Sequence, residues 1–190
     1  MRVLVTLSAC AFLLAACGSS SSGGTKTTLT IGNSVPRSDP VTTPAAPIGV
    51  AVCSLVTPAR ITALLGSAAT GTEQDAQPTA KTCEWDTTPA AAGTAPNKLL
   101  LGLIRIGNGQ AGFGTTVGGF TSQVLPGVGD TATYFVGKGS SGSEERLLVT
   151  NKGTVSMSLT AVYGGSTQPP GSVQDQETAI AKTIFTRLHA

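Results

Sequence analysis

RLLVTNKGTVSMSLTAV, residues 146–162, decides the fold. Its second half alternates without a break, with Val155, Met157, Leu159 and Ala161 set against Ser156, Ser158 and Thr160. Successive side chains of a strand point to opposite faces, so a period of two marks a strand with one buried and one wet face. Residues 146–150 form a second run ahead of it. Asn151-Lys152-Gly153 between them is turn chemistry, with Gly153 suited to positive φ. The stretch predicts an antiparallel hairpin, 146–150 with 154–162.

Moving outward, Pro126-Gly127 and Gly129-Asp130 mark a turn into a strand at 131–136, which carries Tyr134 and Phe135. Gly127, Gly129 and Asp130 are read as structural. Asp130 is expected to fix the turn through its own backbone, with a ligand-facing role as the alternative. Residues 98–106 (KLLLGLIRI) are apolar on both faces, which places that strand centrally in the sheet. Residues 81–87 give a further strand. Phe113, Val117, Phe120 and Val124 recur at helical spacing, predicting a helix over 110–124, although Gly112, Gly114, Gly118 and Gly119 each cost it up to about 1 kcal/mol.

Thr57-Pro58 opens a helix as cap and first residue, Gly66 closes it, and Ile61, Leu64 and Leu65 form its apolar face. After the Pro169-Pro170-Gly171 break, Ser172 caps a last helix with Asp175 three residues on. Val173, Ile180, Ile184 and Leu188 form its stripe. The fold class is α+β. A single antiparallel sheet of about five strands, with two or three helices on one face, is expected in the order α-β-β-(α)-β-β-β-α.

The N-terminus has a different character. Arg2 precedes the apolar run 3–16 (VLVTLSACAFLLAA), which is shorter than the roughly 20 residues a spanning helix needs and has the pattern of a secretory signal. Residues 18–52 open with GSSSSGG and continue through Thr-rich sequence with Pro36, Pro40, Pro44 and Pro47. This is a stalk of roughly 30 Å typical reach, with a short strand at 29–31 within it. The globular body is expected over 53–190. Formal net charge is +2 and the cations are scattered singly, whereas nucleic-acid binding needs clustered cations to neutralise phosphates.

Leu14-Ala15-Ala16-Cys17 resembles the lipobox of bacterial lipoproteins. The Cys17 thiol would take a diacylglycerol unit, and cleavage before it would leave Cys17 as the new N-terminus. Two acyl chains hold a protein stably where one holds it only marginally. Cys10 then leaves with the signal, 1–16, and Cys53 and Cys83 remain. In an oxidising compartment such a pair is most simply a disulfide. A CxxC or other metal-type spacing is absent from the sequence, so no metal, redox centre or cofactor is expected.

Cys53-Ser54-Leu55 leading into TPARITALLG, Cys83-Glu84-Trp85, and PGVGDTA at 126–132 together resemble a family of small actinobacterial, mycobacterial-type lipoproteins. The resemblance covers the body and implies that Cys53 and Cys83 pair. That family offers no catalytic residues to carry over.

Residues 107–112 read formally as GxGxxG after a strand, with Asp130 downstream. A dinucleotide site needs parallel βαβ order around such a loop, and a glycine-rich strand exit is the better account. Glu84 and Asp86 share one strand face, opposite Cys83 and Trp85. They are read as solvent-facing carboxylates rather than an acid–base or calcium pair, and Trp85 as an indole packed beside the disulfide. His189 is the only histidine, sits at the chain end and has no GxSxG elbow to serve. The expectation is a non-enzymatic binding module on the outer face of the cell membrane, meeting an envelope lipid, a glycan or a membrane protein. An accessory or sensor lipoprotein docking on a transporter or kinase ectodomain is the alternative, and an envelope enzyme the minor one.

Overall fold

The computed structural model describes residues 44–89, 92, 94–107, 112–113, 118–139, 142–164 and 171–189. The signal, Cys17 and the 29–31 strand lie outside them. The described residues form a seven-stranded antiparallel sheet: β1 Ala69–Gln77, β2 Ala80–Thr87, β3 Lys98–Arg105, β4 Phe120–Val124, β5 Thr131–Lys138, β6 Glu144–Lys152 and β7 Val155–Tyr163. In space the order is β1-β2-β3-β7-β6-β5-β4. A short 3-10 turn, Val52–Leu55, leads into α1, Pro58–Leu65, and α2, Val173–Arg187, ends the fold.

The single antiparallel sheet and two of the expected helices are present, but the strand count and the order differ from expectation. β1 is an added edge strand, and β4 stands where a helix over 110–124 was predicted. Phe120 pairs with Gly137, and the Phe120 ring lies on that glycine. Val124 is 74% exposed, so the helical spacing of these residues was accidental.

The hairpin at the centre closes by a two-residue turn, Gly153-Thr154, because Lys152 pairs with Val155. Gly153 takes φ 55°, as a glycine at the first central position of a II′ turn does. β3 lies between β2 and β7, and sends Leu99, Leu101 and Leu103 into the core. Leu100, on its other face, is 38% exposed.

α1 packs on α2, β1, β3 and β7, while α2 lies across β6 and β7. Ile180, Ala181, Ile184 and Phe185 of α2 are buried against the face that presents Leu148, Met157 and Leu159. Full burial of an Ile, Leu or Phe contributes about 1.5–3 kcal/mol, so this stripe holds the helix down. Leu188, predicted to share it, is only half-buried. Ser172 stands at the cap position without a side-chain capping bond; its hydroxyl accepts from Gln176 Nε2 at 2.8 Å instead.

The other face of the sheet meets Phe113. Phe113 donates its N–H to Ser156 Oγ at 2.9 Å, and its ring approaches Gly102. Ser156, Phe135 and Val149 point to this side and are buried.

Candidate functional site

A cleft of about 470 Å³ opens where the 52–55 turn, α1, β1, β2 and the end of α2 converge. Cys53, Ser54, Val56, Thr57, Pro58, Ile61, Ala69, Gly71, Trp85 and Arg187 line it. Its position follows from local rules. Pro58 begins α1 and Gly66 ends it in the left-handed region, with its N–H on Thr62 O at 2.8 Å. The start of α1 is thereby presented toward the first strands.

Cys53 and Cys83 are disulfide-bonded, with Cα atoms 5.2 Å apart, and join the 52–55 turn to β2. Trp85 follows on the same face and is 5% exposed. Its strand partner is Gly71, where an added Cβ would fall 2.5 Å from the indole nitrogen. Only glycine lets the indole lie across β1 and form the cleft wall.

Arg187 closes the opposite side. Its Nη1 donates to Ser54 O at 3.2 Å and to Leu55 O at 3.3 Å. It is the one charged residue among those lining the cleft. Ser54 donates its hydroxyl to Ala51 O at 2.7 Å, and the Thr57 side chain makes no capping bond. Glu73 lies beside the cleft: it accepts from Cys53 N at 3.4 Å and pairs with Lys81 at 3.6 Å. This set of groups can hold a ligand by charge, hydroxyl and indole contact.

The remaining candidate residues are placed as follows. Glu84 and Asp86 lie on the face opposite Cys83 and Trp85, and both reach Lys98 Nζ, at 2.8 and 3.0 Å. The bond to Glu84, then that to Asp86, raises the Lys98 pKa above its usual value. Asp130 fixes more than its own turn: its Oδ2 accepts from Gly153 N at 2.8 Å, and its N–H meets Asn151 O at 2.7 Å. With Gly127 and Gly129 at positive φ and Thr150 Oγ1 on Val128 O at 2.8 Å, the 126–130 turn is locked to the β6–β7 hairpin. His189 is exposed, just past α2. Residues 108–111 of the glycine loop lie outside the described residues, and the strand before them joins an antiparallel sheet rather than a βαβ unit. Among the described residues no group of three or more His, Cys, Asp or Glu gathers as metal ligands would.

Sequence reasoning missed Arg187 and Glu177. Glu177 is fully buried, and neither carboxyl oxygen completes a hydrogen bond within the described residues. Burial holds its carboxyl well above the usual range; the Tyr134 hydroxyl, Arg146 and the main chain at Ala161 pull it back less. Burial likewise raises the Tyr134 and Tyr163 phenols. A signal existed for Glu177, which lies four residues after Val173 and three before Ile180, on the apolar stripe. Arg187 carried none beyond its place in the last turn of a helix.

No protein-family model matches the chain, and no curated protein or solved structure matches it.

Proposed function

We propose that this chain is an exported lipoprotein of an actinobacterial cell envelope, anchored through Cys17, that works as a non-enzymatic binding module through the cleft beside its disulfide. The observation that carries this reading is the cleft itself, with an indole wall, one cation and no carboxylate in its lining. Such groups retain and orient a partner. The space between α2 and the sheet is occupied by Ile180, Ile184 and Phe185, so binding falls to the open cleft rather than to the interior. The Leu14-Ala15-Ala16-Cys17 motif and the stalk support the placement, because together they hold a body at a membrane surface.

Native mass spectrometry of the full-length protein, extracted gently from membranes, tests the reading. A bound small molecule or protein is expected, and Ala69→Phe, which fills the cleft, should release it. A wild-type chain that leaves the membrane with no added mass, or a bound mass indifferent to Ala69→Phe, overturns it. The anchor is tested separately: Cys17→Ser should move the protein to the aqueous phase of a detergent split.

A further inference from the structure

Arg187 is not alone on its side of the body. Arg60 of α1 donates from Nη1 to Ala179 O at 3.3 Å and to Thr183 Oγ1 at 2.8 Å, so it reaches the same α2 edge that ends in Arg187. Positions 179, 183 and 187 are four apart and share one face of a helix. A smaller cavity of about 100 Å³, lined by Arg60, Gln176, Ala179 and Ile180, continues the α1–α2 seam.

Among the described residues both guanidinium groups are held in place by neutral oxygens only. Among the described residues neither has a carboxylate partner. Their charges are therefore oriented but not neutralised, whereas Glu84 and Asp86, on the opposite sheet face, are matched by Lys98. On α2 the only carboxylates are Asp175, in the first turn, and Glu177, which is buried. An arginine planted on carbonyls keeps N–H donors in a fork that fits phosphate oxygens.

We infer that the cleft and the adjoining seam bind a phosphate group, with Arg187 as its primary ligand, Arg60 as a second cation along the seam, and Trp85 flanking whatever bears the phosphate. This deepens the binding-module reading and rests on it. The chain enters the body close by. Ile48 N bonds Pro78 O at 2.8 Å, and Cys53, a few residues on, already lines the cleft. An anchor at Cys17 would hold the site at a typical distance on the order of 30 Å from a lipid surface, where a high effective concentration makes a modest affinity sufficient. Phospholipid headgroups and soluble phosphate esters share the chemistry, and the test separates them.

Trp85 is the only tryptophan in the chain, so its emission reports on the cleft directly. The full chain carrying Cys17→Ser is titrated with sn-glycerol 3-phosphate, with glycerol, and with vesicles of phosphatidylglycerol or of phosphatidylcholine. A phosphate-dependent change is expected, one that glycerol and phosphatidylcholine do not produce and that fades between about 0.05 and 0.5 M salt. Arg187→Gln should weaken it about fivefold or more, Arg60→Gln less, and Arg187→Lys should restore part of it. A response to phosphatidylglycerol vesicles alone assigns the phosphate to lipid, and an equal response to glycerol phosphate assigns it to a soluble ester. No response to either phosphate probe, equal responses to charged and neutral probes, or an Arg187→Gln variant that melts like wild type and binds like it, overturns the inference. A native-mass adduct that survives Arg187→Gln but not Ala69→Phe would leave the binding module standing and remove only the phosphate.

Discussion

Glu177 sits on α2 facing three strands, each with a group that bears on its charge: Tyr134 from β5, Arg146 from β6, and Tyr163 with the Ala161 main chain from β7. Arg146 is itself paired with Glu144. Burial outweighs these groups and holds the carboxyl in its neutral form, since ionising it in a low-dielectric site is costly. Its folded pKa is therefore raised above the unfolded value. Between the two, the native state binds the proton and the unfolded state has lost it, so stability falls as pH rises. The stability owed to this group is complete below the unfolded carboxylate range and is lost on the way up to the folded pKa. Glu177→Gln removes the titration. It should leave the melting temperature near pH 4 almost unchanged and raise it at pH 7, flattening the profile between; thermal melts across that range check it. A variant that loses stability equally at both pH values would show that the carboxyl is paired and charged in the fold.

Among the elements, α1 is anchored by partners distant in sequence. Its last carbonyls would be orphaned in the core, but Tyr163 Oη donates to Leu64 O and Asn97 Nδ2 to Leu65 O, both at 2.9 Å. Asn97 also accepts from Gly164 N at 3.1 Å, tying the β2–β3 connection and the end of β7 to the same point. Tyr163→Phe and Asn97→Ala each strand a buried carbonyl and should cost about 1–3 kcal/mol, measured by denaturant unfolding. Costs within a few tenths of a kcal/mol would mean that water replaces the bonds. The start and end of this helix were legible in the sequence because Pro58 and Gly66 act locally, and its anchors were not, because they come from other elements. The same division runs through the sheet. β3, β6 and β7 announce themselves by apolar pattern, whereas β1 (ATGTEQDAQ) has almost no apolar residue to bury and is a strand only because β2 pairs with it. β4 is read wrongly for the converse reason: its spacing mimics a helix while its side chains face solvent. At the site, Cys53, Cys83 and Trp85 could be read from residue type and alternation. Arg187 could not, because tertiary packing alone brings the end of α2 to the cleft.

For the molecule as a whole, the disulfide closes a loop with a sequence separation of 30. Chain entropy assigns such a closure about 3–4 kcal/mol, against a typical total of about 5–15 kcal/mol. Reduction should therefore lower the melting temperature by roughly 10 °C at this size. It should also broaden the Trp85 environment, since the 52–55 turn that faces the indole is released; melts and emission spectra with and without reductant check both effects. The strand order has a further consequence, and it concerns time. β1–β2–β3 and β4–β5–β6–β7 are each local meanders, and within the sheet they meet only along β3–β7. A chain threaded out N-terminus first delivers β3, with its leucines, long before β7 exists to cover it. Until the last hairpin emerges, that strand is a sticky, unpaired margin, open to the same strand of another newly made copy. The Cys53–Cys83 bond requires nothing beyond β2 and can close in the interval. On the proposed export, crowding where the chain emerges, rather than the finished protein's stability, would then govern how much of it is lost to aggregation.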